Sequence, residues 1–227
     1  EAIAQQFIHD GIDVLTDHHL IKFGKNDEQK YIEAEYKGKT VIVEFDEVLL
    51  AVGRKANVEG FGLEELGMPL TSQGNIEINN AMQTAYPNIY ACGDVVGPYK
   101  FTHMASFQAF FSSVNAMLSG LWRLKAGYNV VPWAIFTNPE VARVGLSENE
   151  AKKRDIPYEV TCYQMENLDR AQADGEAYGF IKVLTVPRKD RILGVTIVGY
   201  HAGELIGEFV FAMTHGMGMK KIAVVTH

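Results

Sequence analysis

Asn88-Ile89-Tyr90-Ala91-Cys92-Gly93-Asp94-Val95 is the stretch on which the reading of this chain turns. Pro87 and Asn88 make a turn, and Ile89, Tyr90 and Ala91 form a short, mostly apolar run suited to a buried parallel strand. Cys92 and Gly93 are small enough to let a bulky ligand approach the backbone. Asp94 then places a carboxylate just past the strand's C-terminal end, the edge at which open α/β sheets bind ligands. A carboxylate there accepts hydrogen bonds from hydroxyls such as those of a ribose or a ribityl chain. Read alone, Gly93-Asp94 is an ordinary turn. Two segments give it weight, Leu49-Leu50-Ala51-Val52-Gly53-Arg54-Lys55-Ala56-Asn57 upstream and Phe101-Thr102-His103-Met104-Ala105 downstream.

Upstream, Val48 to Val52 reads as a buried strand, and Gly53 lets the backbone turn or meet a ligand. Arg54 serves a phosphate, an acidic partner or, equally, a surface ion pair. Leu63 to Gly67 reads as a short helix and Ile76 to Ile78 as a short strand. Downstream, Val95 to Tyr99 is a loop, and a helix starts near Thr102 with Thr102 as its N-cap. The free N–H groups of its first turn point at whatever lies beyond the strand ends. His103 at that start reads first as a packing or hydrogen-bonding residue and only second as a catalyst. Phe107, Phe110, Phe111, Val114, Met117, Leu118, Leu121 and Trp122 follow at helical spacing and read as core.

Residues 1–10 read as an amphipathic helix with Ile3, Ala4, Phe7 and Ile8 on one face. Gly11 to Leu15 then begins a strand, His18 to Phe23 alternates loosely, and Tyr31 to Tyr36 alternates well. A turn at Lys37 to Thr40 leads into Val41 to Phe45, completing a β-meander. No G-x-G-x-x-G occurs; at Gly60-Phe61-Gly62 the third glycine position is Glu65, so no phosphate-cradling loop is readable. His18-His19 reads as a solvated turn, without the further ligands a metal would need. The start at Glu1, inside a helix and without a leader pattern, reads as that of a fragment or trimmed product.

Lys125 to Asn129 reads as a domain boundary. Beyond it come Phe136-Thr137-Asn138-Pro139-Glu140-Val141-Ala142-Arg143-Val144-Gly145 and a capping box from Ser147 to Glu150. Strands follow at Tyr158 to Gln164, Gly179 to Val186 and Ile192 to Tyr200. A helix from Ala202 to His215 packs on them through Leu205, Ile206, Phe209, Val210 and Met213, making an α+β domain. Glu204, Glu208, His201 and His215 are too dispersed for a compact metal site and read as solvated charge.

Composition bounds the alternatives. Of 227 residues 47% are hydrophobic and 22% charged, as in globular proteins that bury a large core. A net charge of −7 with 21 basic residues scattered along the chain leaves no footprint for nucleic acid. The longest candidate for a membrane span, Ala105 to Trp122, is broken by Ser106, Gln108, Ser112, Ser113, Asn115, Ser119 and Gly120. Cys92 and Cys162 offer neither a disulfide framework nor zinc spacing, which fits a reducing, cytoplasmic setting.

The three segments around Asp94, in their order and spacing, resemble the second half of the FAD domain of pyridine nucleotide-disulfide oxidoreductases, among them dihydrolipoamide dehydrogenase, glutathione reductase and mercuric reductase. The Phe136-to-Gly145 signature extends the likeness towards the C-terminus. The resemblance implies an α/β FAD-domain remnant plus an α+β interface (dimerisation) domain. Residues 1–48 would close an NAD(P)-binding domain, 49–127 would form the second half of the FAD-binding domain, and 128–227 would form the interface domain. It implies FAD and NAD(P)H as cofactors of a homodimeric parent enzyme. Asp94 would hold the ribityl chain, with Gly53 and Gly93 beside the cofactor. Backbone N–H groups at Thr102, His103, Met104 and Ala105 would face the O2 edge of the isoalloxazine ring, where negative charge collects on reduction. The loop around Asp169-Arg170-Ala171 and Asp174-Gly175-Glu176 would face the partner subunit. Neither a C-x-x-x-x-C pair nor a first FAD loop is present in the sequence. By alignment on Lys220-Lys221-Ile222-Ala223 the family's catalytic His/Glu pair would fall just past His227, so no catalytic residue is assigned. This chain by itself is expected to be inactive; the alternative is a flavin-free dimerisation or ligand-binding module.

Overall fold

The computed structural model describes residues 2–118 and 123–226, so the expectations on Leu121, Trp122 and His227 lie outside the described residues. The chain divides into two compact units, residues 1–53 and 54–227.

The first unit is a helix and a meander. Helix α1 (Ala2–His9) is followed by β1 (His19–Asn26), β2 (Gln29–Tyr36) and β3 (Lys39–Phe45), an antiparallel sheet in the order β1-β2-β3. The β2–β3 turn is only Lys37-Gly38, both at positive φ, the pairing of angles that a two-residue hairpin requires. Gly11 to Leu15 forms no strand, and α1 buries no residue. The expected buried strand at Val48 to Val52 is absent as well: Leu49 is 90% exposed and Val52 89%. A strand exists only as part of a ladder, and no segment among the described residues pairs with this one.

The second unit begins with an irregular stretch, residues 54–100, gathered around Ala56, Val58, Met68, Ile76 and Val96. Three expected elements shrink here. Leu63 to Gly67 is a single turn closed by Met68 N–H to Leu63 O (3.0 Å) rather than a helix. Ile76 makes one bridge to Leu70, and Tyr90 makes one antiparallel bridge to Gln83 in place of a parallel strand. The apolar character of these runs is used for packing, while the ladder that would make them strands has no second rail among the described residues.

Helix α2 (Thr102–Met117) follows. Its buried face is Met104, Gln108, Ser112 and Asn115, whereas Phe110 is 59% and Met117 83% exposed. The expectation that its aromatic face is core is therefore reversed. Asn115 is held by partners inside the unit: its Nδ2 donates to Ala81 O (3.0 Å) and Leu124 O (2.9 Å), and its Oδ1 accepts Leu124 N–H (2.8 Å).

Beyond residue 130 the strands expected at 158–164, 179–186 and 192–200 and the helix expected at 202–215 are present, whereas Trp133–Ile135 and Glu140–Gly145 are strands the sequence reading did not mark and Asp169–Asp174, read as loop, is a short helix. Strands β4 (Trp133–Ile135), β5 (Glu140–Gly145), β6 (Glu159–Gln164), β7 (Phe180–Thr185) and β8 (Ile192–Gly199) form one antiparallel sheet, ordered β4-β5-β8-β7-β6. Short helices α3 (Glu148–Lys153), with its Ser147/Glu150 capping box, and α4 (Asp169–Asp174) sit in the connections. Helix α5 (Ala202–Thr214) packs on β5 and β8, burying Ala202, Ile206, Phe209 and Ala212 over Ala142, Val144, Val195 and Ile197. Leu205, expected on that face, is exposed. Helix α6 (Met219–Ile222) closes the described chain. No helix among the described residues is long and apolar enough to cross a membrane.

Candidate functional site

Gly93 is buried at φ +80°, and a Cβ there would come within 3.3 Å of the Ala105 methyl. That close approach is what the small residue permits. The one-turn 3-10 segment Gly93–Val95 turns Asp94 outwards, where its carboxylate meets Arg54 Nη1 at 3.0 Å. Both side chains are substantially solvated, so this is a surface ion pair of small energetic weight. The sheet edge expected next to Asp94 is not formed, but the carboxylate stands beyond a tight, glycine-permitted turn.

Helix α2 opens beside it. Its N-cap is Phe101, which makes no side-chain capping bond, so Thr102 is the first helical residue rather than the cap. The first intrahelical bond at this end is Ala105 N–H to Phe101 O (3.0 Å). The N–H groups of Thr102, His103 and Met104 precede it and carry the positive end of the helix dipole. His103 stacks on Phe101 with centroids 5.4 Å apart, and its Nε2 lies 2.8 Å from Pro132 O, which fixes the proton on that nitrogen. Lys100 Nζ donates to Arg54 O.

These residues wall one side of a cleft of about 680 Å³. Arg54, Lys100, Phe101, Thr102 and His103 face Pro132, Trp133, Phe136 and, from α5, Gly203 and Glu204 across it. The cleft thus offers cations, helix N–H donors and an aromatic floor, and Asp94 borders it through Arg54. A cavity of about 710 Å³ lies by Leu168, Tyr200 and His201, but two of its charged groups, Arg170 and Asp174, bind each other at 2.7 Å. Of the expected site residues, Gly93, Asp94, Thr102, His103 and Ala105 come together. Gly53 (φ +115°, with open space around its Cα) belongs to the first unit.

The donor set fits a flavin nucleotide in part. A carboxylate past a close-approach turn can accept from polyol hydroxyls, and helix N–H groups can donate to a ring carbonyl. No glycine-rich loop accompanies the meander, so no described residue is assigned to a nicotinamide nucleotide. No three His, Cys, Asp or Glu side chains gather as a metal set among the described residues.

Two site residues escaped the sequence reading. Gln108, fully buried, accepts the Gly93 N–H on Oε1 at 2.7 Å and donates from Nε2 to Tyr128 Oη at 3.1 Å. Tyr128 lies in the stretch read as a boundary, and burial pushes its phenol above the ordinary value. The available signal was a Gln on the same α2 face as Met104 and Asn115, at spacings of four and seven.

Residues 1–109 match the family model described as pyridine nucleotide-disulphide oxidoreductase, and residues 131–227 match that family's dimerisation domain. The mitochondrial dihydrolipoyl dehydrogenases of Sus scrofa and Homo sapiens are each 38% identical over 196 residues, 86% of this chain and 38% of theirs. The chain therefore spans well under half the length of these curated relatives. Among solved structures, the HOCl-induced flavoprotein disulfide reductase RclA from Escherichia coli superposes with a TM-score of 0.85 at 22% identity, over 99% of this chain and 51% of that one. LpdA from Mycobacterium tuberculosis gives 0.88 at 20%, over 100% and 48%. These two are likenesses of fold.

Proposed function

The chain belongs to the pyridine nucleotide-disulphide oxidoreductase family, and from that premise we propose that it supplies part of the FAD pocket and the dimer surface of a longer, homodimeric NAD(P)H oxidoreductase. Bound FAD would supply two-electron redox chemistry between a nicotinamide nucleotide and a disulfide-type acceptor. The residues here have three tasks. Asp94 accepts hydrogen bonds from the ribityl hydroxyls once Arg54 releases it. Gly93, packed on Ala105, keeps the turn low enough for close approach. The free N–H groups of Thr102, His103 and Met104 in the first turn of α2, which Ala105 N–H closes onto Phe101 O, donate to the ring's pyrimidine edge and favour the charge that reduction places there. Residues 1–48, 49–127 and 128–227 serve as the end of the NAD(P) domain, half of the FAD domain and the dimerisation domain. Protein–protein association is with a second copy; membrane and nucleic acid have no part in this reading. Free Cys92 and Cys162 suit a reducing compartment, the cytoplasm.

The observation carrying the proposal is the juxtaposition of the Asp94 turn with the α2 N-terminus. A second reading, a flavin-free dimerisation module, draws on one fact: Arg54 already satisfies the Asp94 carboxylate. Purification separates the two. The longer parent should come off the column yellow with one FAD per chain, this chain alone should be colourless, and Asp94→Ala in the parent should weaken FAD by about tenfold or more, the scale of a lost charge-assisted hydrogen bond. A parent that binds no flavin, or an Asp94→Ala variant with undiminished affinity, would favour the second reading.

A further inference from the structure

We propose that Gln108 is the positioning residue of this site, holding the Gly93-Asp94 turn in place and tying it to the connector that leads into the dimerisation domain. The inference rests on the flavin reading above. Its starting point is the direction of three hydrogen bonds. A backbone N–H can only donate, so the 2.7 Å contact with Gly93 N fixes Gln108 Oε1 as the acceptor and leaves Nε2 pointing the other way. Nε2 must then donate, and at 3.1 Å it meets Tyr128 Oη as acceptor. The phenol proton is thereby directed onto Met82 Sδ, 3.6 Å away. One side chain sets the sense of the whole chain of bonds.

What lies at each end matters. At one end is Gly93, the residue before Asp94, whose carbonyl accepts Val96 N–H at 3.1 Å and so closes the turn around Asp94. At the other, Tyr128 stacks on Tyr99, with ring centroids 5.7 Å apart, and Tyr99 is in the loop that follows Asp94. The turn is therefore gripped before and after Asp94 by a path through Gln108. Met82, fully buried at φ +63°, is the path's last member, and its carbonyl accepts Ala91 N–H at 3.0 Å, returning to the Asn88-to-Val95 stretch. Gln108 is 0% exposed on a helix that leaves Phe110 and Met117 exposed. Packing alone does not ask for an amide at this position; the Gly93 N–H does, because a buried donor without an acceptor is costly.

The test uses the flavin-loaded parent protein and four variants, Gln108→Leu, Gln108→Glu, Tyr128→Phe and Asp94→Ala. The readouts are the FAD dissociation constant by flavin fluorescence and the thermal midpoint of the flavin-free protein. Gln108→Leu removes the acceptor and should weaken FAD about tenfold. Gln108→Glu keeps an acceptor for Gly93 and should restore affinity to within about threefold, while burying an acid lowers the thermal midpoint at least as far as in Gln108→Leu. Affinity would then follow the Gly93 acceptor and not stability. Tyr128→Phe, at a less buried position, lets the amide lose its orientation and should weaken FAD about threefold even if Gln108→Leu does not fold. The inference is overturned if Gln108→Leu and Tyr128→Phe bind FAD as the parent does while Asp94→Ala does not, or if Gln108→Glu loses as much affinity as Gln108→Leu. An Asp94→Ala variant with unchanged affinity removes the flavin reading itself, and this inference with it.

Discussion

Glu150 illustrates how much one side chain carries in this chain. Its carboxylate accepts from Ser147 N–H and Ser147 Oγ at 2.8 Å each and pairs with Arg143, a guanidinium whose side chain is only 19% exposed. Desolvation pulls the Arg143 pKa down, and its Nε has no partner, so Glu150 is what compensates a largely buried charge. Glu150→Ala should cost about 2–3 kcal/mol in urea unfolding, against about 1 kcal/mol for Ser147→Ala, which removes only a cap. Equal losses would mean that the cap is the whole effect. Glu148 and Lys182, 2.7 Å apart, give a pH dependence. The hydrogen bond from Lys182 holds the Glu148 carboxyl below its ordinary 4.5, and the same bond raises Lys182 above 10.5. The carboxylate's contribution is therefore present above pH 4.5 and lost as pH falls through the lower folded value; the ammonium's is present below 10.5 and lost above the higher folded value. Lys182→Met should lose about 0.5 kcal/mol at neutral pH, a difference that vanishes in acid; a difference persisting after Glu148 is protonated would contradict the pairing.

At the scale of elements, the sheet of the second unit tolerates no added bulk where β8 passes Leu146. A Cβ on Gly194 would stand 2.0 Å from Leu146 O, a backbone atom that cannot swing aside. Gly194→Ala should destabilise by about 3 kcal/mol or more. Gly207, inside α5 with nothing within 4 Å of a Cβ, should behave oppositely: Gly207→Ala should raise stability by about 0.5–1 kcal/mol by chemical denaturation. The same contrast explains what the sequence disclosed. From Tyr158 onwards successive strands pair with each other, so alternation translated directly into β6, β7 and β8, whereas β5, whose partner β8 lies about fifty residues on, was not legible as a strand. The segments 48–52, 76–78 and 89–91 carry strand-like composition but no ladder within the described residues, and composition cannot reveal an absent neighbour. Helix α2 misled for a related reason. Its Phe side chains signal a face to be covered, and the periodicity does not say by what, while Gln108 and Asn115 declared their burial only through partners 9 to 34 residues away.

For the molecule as a whole, the relatives' greater length gives the exposed strand-like segment a testable fate. In the longer parent, amides of Leu49 to Val52 should exchange slowly with solvent because they join a ladder; in this chain alone they should exchange at rates near those of unstructured peptide. Fast exchange in both would remove the expected strand altogether. The dimerisation domain should make the parent sediment as a dimer at micromolar concentration, and a monomer there would count against the assigned interface. The central claim, that the Asp94 turn and the start of α2 hold the flavin, is met most directly by a crystal structure of the FAD-loaded parent. It should place the Asp94 carboxylate within hydrogen-bonding distance of a ribityl hydroxyl, with Arg54 turned away and the ring edge over the N–H groups of Thr102 and His103. A flavin bound elsewhere, with Asp94 still paired to Arg54, would contradict it.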